Sequence, residues 1–460
     1  MRQEFDSLGT VEVPENVYYG AQTQRSLQFF SWGEEKMPEP VIRALVLIKK
    51  CAAKANADLG LLEKKTSERI VAASEEILTG NFFEHFPLRV WQTGSGTQSN
   101  MNVNEVIANL AIKRSGGIVG SKDPVHPNDH VNCSQSSNDV FPTAMHIAAV
   151  RELKYQLIPS LERIISVITE KSKEFHKHVK IGRTHLMDAV PMTLGQEFSG
   201  YLDQLKKNVE RIGFSFTHLH ELAIGATAVG TGLNVPPGFV EKFLEYLRQE
   251  TGEPFCAASN TFSALSCHDS LVFAQSCLSS LACSLTKIAT DLSFLGSGPR
   301  CGLGELFFPE NEPGSSIMPG KINPTQCEAI LMVCTQIFGY TQSVVYGGSR
   351  GNFELNVMKP VIIYNFLRSV SLLSGAMRSF ADNFILGLRV NEMKIKEYTE
   401  RSLMIVTALS PVIGYDKCSK IALKALHENL TLREAATSLG FISEEEFDKH
   451  VNPANMVGDH

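Results

Sequence analysis

The chain has 460 residues, 43% of them hydrophobic, and a formal net charge of −6. That length is enough for several domains around a substantial buried core. The acidic balance, with no basic tract to neutralise a phosphate backbone, excludes a nucleic-acid partner.

From the amino terminus, Met1-Arg2-Gln3-Glu4-Phe5-Asp6 lacks the apolar core of a signal peptide. Residues 1–138 mix turn-rich stretches with shorter helices and form the first of three expected domains. Within them, Thr93 to Glu105 packs small residues, hydroxyls and amides ahead of a helix expected to start near Asn104. Backbone N–H groups at such a start favour an anion. A second polar cluster joins His126-Pro127-Asn128-Asp129 to Ser134-Gln135-Ser136-Ser137-Asn138-Asp139. Residues of these types compete with backbone hydrogen bonding and are costly to bury unpartnered, so their density exceeds what turns and caps require.

The second expected domain, 139–395, is a bundle of long helices. Behind Asn138-Asp139 as a cap and Pro142 near the first turn, apolar residues recur at Val150, Leu153, Leu157, Leu161, Ile164 and Ile168, with a kink expected at Pro159. Phe198, Leu202, Leu205, Val209 and Ile212 form one heptad seam, and Leu278, Leu281, Leu285, Ile288, Leu292 and Leu295 another, ended by Gly296. Long helices are expected near 143–176, 193–222, 268–295, 324–345 and 355–388. The third is weakly charged all round, which calls for other helices on every side. One chain supplies too few to cover all these faces, so homo-oligomerisation is expected; the alternative is a monomeric bundle with thick domains packed on its sides. The third domain, 396–460, holds short amphipathic pieces interrupted by Gly414, Gly440 and Pro453.

Two further segments carry chemistry. Gly182-Arg183-Thr184-His185-Leu186-Met187-Asp188-Ala189 holds an imidazole able to exchange a proton near neutral pH. Gly314-Ser315-Ser316-Ile317-Met318-Pro319-Gly320-Lys321-Ile322-Asn323-Pro324 sets two hydroxyls, a cation and an amide on one loop suited to gripping a carboxylate. It is not a phosphate-binding loop, because five residues separate its glycines and Ile322, not Ser or Thr, follows the lysine. The ten cysteines contain no C-x-x-C pair, and the pairs His176/His178 and His218/His220 lack the i, i+4 spacing of helical metal ligands. Free thiols, no metal, no cofactor, no membrane partner and a cytoplasmic location are expected, since no uninterrupted apolar run reaches bilayer length.

These segments, together with Ser95 to Asn102, Ala228 to Asn234 and Gly351 to Asn356, resemble the fumarase/aspartase superfamily nearly end to end, and within it the class II fumarate hydratases. Aspartate ammonia-lyases typically read A-G-T-S-x-N-M-N where this chain has Ser95-Gly96-Thr97-Gln98-Ser99-Asn100-Met101-Asn102. The resemblance implies a mainly α, three-domain subunit in a homotetramer built on five long helices from each subunit. It implies reversible hydration of fumarate to (S)-malate through an aci-carboxylate, with ammonia-lyase or argininosuccinate-type lyase chemistry as the alternative on the same scaffold. By resemblance Ser315 is the base, Lys321 and Asn323 hold the reacting carboxylate, and His185, paired with Glu328, serves the departing hydroxyl. Ser95, Gly96, Thr97, Ser136, Ser137, Asn138, Thr184, Ser316 and Ile322 complete the substrate site, drawn from three subunits. His126, Pro127, Asn128 and Asp129 match a second, weaker dicarboxylate site. Met187, Ala226 and Cys133 depart from the usual Gln, Gly and Lys.

Overall fold

The computed structural model describes residues 1–458. The fold is mainly helical, and the β-structure among the described residues is five two-stranded pairings and an isolated bridge between Lys36 and Arg89. The long helices lie at Leu194–Leu219, Asp269–Leu295, Thr325–Gly348 and Lys359–Asn383, with a further continuous run through Ser137–Glu152, Leu153–Leu157 and Ile158–Glu174. These match the five expected positions, because residues at three- and four-residue spacing form one apolar face on a helix. Val150, Leu153, Leu157, Leu161, Ile164 and Ile168 are all buried, as is the whole seam from Leu278 to Leu295. At Pro159 the chain does more than bend: the turn before it, Leu153–Leu157, is a π-turn. Proline has no N–H and its ring crowds the carbonyl four residues back, so one wider turn absorbs the mismatch.

The chain divides into two compact units: Met1–Pro159 with Glu210–Ser280 and Thr335–Leu373, and Ser160–Val209 with Leu281–Cys334 and Ser374–His460. In the first, helix Glu39–Asp58 packs among Lys64–Thr79, Thr97–Arg114, Ser137–Glu152 and Phe239–Thr251. Buried polar links join its long helices, as where Gln275 Nε2 donates to Thr341 Oγ1 and Ser369 Oγ, each at 3.0 Å. In the second unit an apolar cluster gathers Ile181, Ile405, Leu409, Ile421, Ala435 and Phe447 under the carboxy-terminal helices.

Three helices, Asp269–Leu295, Thr325–Gly348 and Lys359–Gly387, are long and apolar enough to cross a membrane by length and composition. The sequence expectation concerned an uninterrupted apolar run; these helices reach the limit on average hydropathy, and Lys287 and Asp291 interrupt the first of them. Their Ala, Ser, Cys and Gly positions keep the average apolar without any uninterrupted run of large side chains. Only 28% of the apolar stretch in Thr325–Gly348 is buried, and Met332 and Tyr346 on that helix stand exposed.

Candidate active site

In the second unit, the loop from Gly314 to Asn323 is closed at its base by backbone pairing. Gly314 N–H donates to Lys321 O at 2.9 Å, and Asn323 Nδ2 donates to Gly314 O at 2.6 Å. Only glycine fits at 314, because a Cβ there would lie 2.3 Å from Lys321 O. Ser315 Oγ accepts from the backbone N–H of Met318 at 3.0 Å and of Ile317 at 3.3 Å. Two converging N–H groups favour negative charge on that oxygen. Among the described residues no carboxylate pairs with the exposed Lys321 ammonium. Ser315, Ser316, Lys321, Ile322 and Asn323 thus share one loop, and its helix follows at Thr325 with Glu328 exposed in the first turn. A carboxylate there complements the helix dipole.

Thr184 and His185 lie in a β-hairpin, Val179–Thr184 paired antiparallel with Met187–Thr193, that the sequence pattern does not announce. His185 and Leu186 form its two-residue turn, both at positive φ (55° and 61°). Such turns normally use Asn or Gly, and a bulky residue in that region is strained, a feature that clusters at functional sites. The tip is open, with Leu186 80% and Met187 69% exposed. No ion pair joins His185 to Glu328 among the described residues, so the expected pair is not assembled within this one chain.

The root of the hairpin is held by buried charge. Lys180 Nζ lies 2.6 Å from Glu197 Oε2 and 2.9 Å from Glu305 Oε2, and Arg183 Nη2 lies 2.6 Å from Glu305 Oε1. The Lys180–Glu305 contact has ion-pair distance without hydrogen-bond alignment, so Glu305 Oε2 lacks a directed hydrogen bond yet keeps a buried counter-charge beside it. Burial opposes the charge on Arg183, but the Glu305 bond outweighs it and holds the guanidinium pKa above its ordinary value. Glu305 lies nine residues before Gly314 on the strand-bearing segment that feeds the loop, so one carboxylate anchors the hairpin and the approach to the loop.

In the first unit, helix Thr97–Arg114 begins at Thr97, not near Asn104 as expected from sequence. Gly96, at φ +79°, makes the abrupt entry, and a Cβ there would meet the Phe141 ring at 2.2 Å. Gly96 has no side chain to cap this helix start, and two of its first N–H groups are held by neighbouring side chains instead: Thr97 N–H donates to Ser95 Oγ at 3.4 Å and Ser99 N–H to Gln92 Oε1 at 3.1 Å. Ser95 Oγ and Thr97 Oγ1 are 2.8 Å apart. Gly94 is packed against Val357, and its carbonyl accepts from Lys359 N–H at 3.2 Å. The second segment adjoins the first: Asn100 Nδ2 donates to Ser137 Oγ at 3.0 Å and to Asn132 Oδ1 at 3.1 Å. Ser136 caps helix Ser137–Glu152 in a capping box with Asp139. Asp139 Oδ2 accepts from Gly225 and Thr227 N–H, each at 3.0 Å, and Asn138 Nδ2 donates to Ala228 O at 2.8 Å, which brings the Ala228 to Asn234 stretch alongside.

His126 holds local backbone in place. Its Nδ1 accepts from Asn128 N–H at 3.2 Å and Asp129 N–H at 3.1 Å and so caps the π-turn Pro127–Val131. Burial depresses its pKa against the opposing pull of Asp129, which suits a neutral ring that accepts at Nδ1.

Among the described residues five lysines are buried, Lys49, Lys50, Lys171, Lys180 and Lys359, and none was anticipated from sequence. Lys49 carried a legible signal, since it falls on the buried seam Ile42, Leu45, Lys49, Ala52 and Asn56 of helix Glu39–Asp58. Lys359 Nζ donates to Asn356 O at 2.6 Å.

A family model described as lyase matches residues 9–339, and one described as fumarase C C-terminus matches 405–458. The chain is 71% identical to a class II fumarate hydratase of Chlamydia pneumoniae, with all of both chains covered. It is 72% identical to the Chlamydia trachomatis protein of the same name, covering 100% of this chain and 99% of that one. The crystal structure of class II fumarase from Schistosoma mansoni superposes with a TM-score of 0.97 at 45% identity, covering 100% of this chain and 99% of that one.

Proposed function

We propose, for a chain that belongs to the class II fumarate hydratase family, that it catalyses the reversible hydration of fumarate to (S)-malate. The observation that carries the mechanism is the Ser315 hydroxyl, held by two backbone N–H groups on a loop whose lysine has no carboxylate partner among the described residues. In the direction of malate dehydration, Ser315 takes the C3 proton and the electron pair moves into the adjacent carboxylate. Lys321 and the second N–H of the Asn323 amide meet that developing charge. Collapse of the aci-carboxylate forms the double bond and expels the hydroxyl, which leaves as water with a proton delivered from His185, supported by Glu328. Ser95, Gly96, Thr97, Ser136, Ser137, Asn138, Thr184, Ser316 and Ile322 hold the dianion in register.

The working form in this reading is a homotetramer in the cytoplasm, with three domains at 1–138, 139–395 and 396–460 and sites shared between subunits. The apolar, largely uncovered helix Thr325–Gly348 supports the assembly, and the lack of a His185–Glu328 ion pair among the described residues of one chain supports the sharing. His126 to Asp129 forms the weaker dicarboxylate site.

Loss of fumarate absorbance on adding purified protein is the direct test. We expect turnover with fumarate and water and none with aspartate or argininosuccinate; ammonia release from aspartate instead would overturn the assignment. Shared sites have their own test. Ser315→Ala and His185→Asn are each expected to be inactive, and subunits mixed and reassembled should regain a fraction of wild-type turnover. An active monomer in sedimentation, or mixtures that never complement, would remove the shared-site model.

A further inference from the structure

Lys49 is fully buried in helix Glu39–Asp58, yet among the described residues no carboxylate touches it. Its Nζ donates to Asn132 Oδ1 and to Gln135 Oε1, both at 2.9 Å. A lysine has no acceptor, so it fixes the Asn132 amide with its oxygen inward. That oxygen also accepts from Asn100 Nδ2 and Asn104 Nδ2, each at 3.1 Å. Asn100 then donates to Ser137 Oγ, which leaves the Ser137 O–H free to donate outward to a carboxylate. An ammonium and the amides it orders therefore lie directly beneath the Ser136 to Asn138 segment.

A buried charge without a bonded counter-ion is costly, and an arriving dianion is the natural compensation. We propose that Lys49 is a positioning residue of the dicarboxylate site, supplying buried positive charge and orienting Ser137 through Asn132 and Asn100. This deepens the function proposed above and rests on it.

The surroundings define a proton linkage. Asp139, on the helix behind, is the carboxylate whose charge reaches Lys49, and its oxygens are already engaged by the N–H groups of Ser136, Gly225 and Thr227. Neighbouring Lys50 turns to Glu75 and Glu250, and the Nδ1 of His130 is taken by His126 N–H. Helix Thr97–Arg114 offers amides on this side. Burial lowers the Lys49 pKa to about 7 against the pull of Asp139. A bound dianion raises it again, so binding takes up a proton, and affinity falls as pH rises above about 7.

The test is calorimetric binding of succinate, a saturated dicarboxylate that cannot react, in two buffers of different ionisation heat between pH 7 and 8. Wild type should take up a fraction of a proton per site. Lys49→Met should lose that uptake and bind succinate at least tenfold more weakly, with a rise in KM that exceeds the fall in kcat. Asn132→Asp, which keeps the lysine and cancels its charge in place, should weaken succinate binding likewise. It decides the matter if Lys49→Met does not fold. Wild-type affinity and proton uptake in either folded variant overturn the proposal. Wild type that binds succinate with this linkage but leaves fumarate unchanged would instead refute the reaction and keep Lys49 in its role.

Discussion

Ser315→Ala should lower kcat by roughly three orders of magnitude in both directions while changing KM by less than about threefold, the scale expected when a general base is removed. The substitution deletes the oxygen on which the Ile317 and Met318 N–H groups converge. It leaves the loop's closure untouched, because that depends on Gly314 pairing with Lys321 and on the Asn323 amide. The freed N–H groups are on an exposed stretch and turn to water, so the fold should tolerate the change. Steady-state rates alone do not separate a lost base from a lost hydroxyl contact, but isotope exchange does. Malate incubated with wild type in deuterated water should exchange its C3 proton, and the variant should exchange it at the same reduced rate as turnover. Retention of exchange within tenfold of wild type would assign the base to another group.

The helical architecture was legible because its signals are local and periodic. The seam from Leu278 to Leu295 reads as helix whatever surrounds it, and it is buried along its length. The loop from Gly314 to Pro324 was equally legible, since its glycines, proline and polar groups all point to irregular backbone. What escaped depends on conformations that residue type does not announce. The hairpin carrying His185 turns through a His-Leu pair at positive φ, where the usual cue is Asn-Gly, so nothing marked it as β. Helix Thr97–Arg114 starts seven residues earlier than expected because its polar first turns look like loop; their amides in fact point into a buried network with Asn132. Glu305 and Lys180 were invisible for a different reason. They are far apart in sequence, and only folding brings a single carboxylate against Lys180 and Arg183 together.

Lys321→Met should depress kcat by about a hundredfold or more and also raise KM, whereas Ser137→Ala should cost about 1 to 3 kcal/mol, mostly in KM. The difference follows from where charge develops. Fumarate and malate are dianions, and the aci-carboxylate adds a further negative charge to one end, so a cation aimed at that end gains most after binding. Lys321 is free to make that gain, because among the described residues no acidic partner holds its ammonium. Ser137 offers one hydrogen bond, already oriented by Asn100, whose strength changes little between ground and transition states. His126→Asn is the internal control. The imidazole there accepts two N–H groups as a turn cap, a role the Asn oxygen can take over, so the variant should fold and keep kcat near wild type. Measured together at one pH and ionic strength, the three variants separate chemistry from binding and binding from structure. A Lys321→Met enzyme altered only in KM would place the developing charge elsewhere. His126→Asn as damaging as Lys321→Met would move the chemistry to the pocket beside the π-turn.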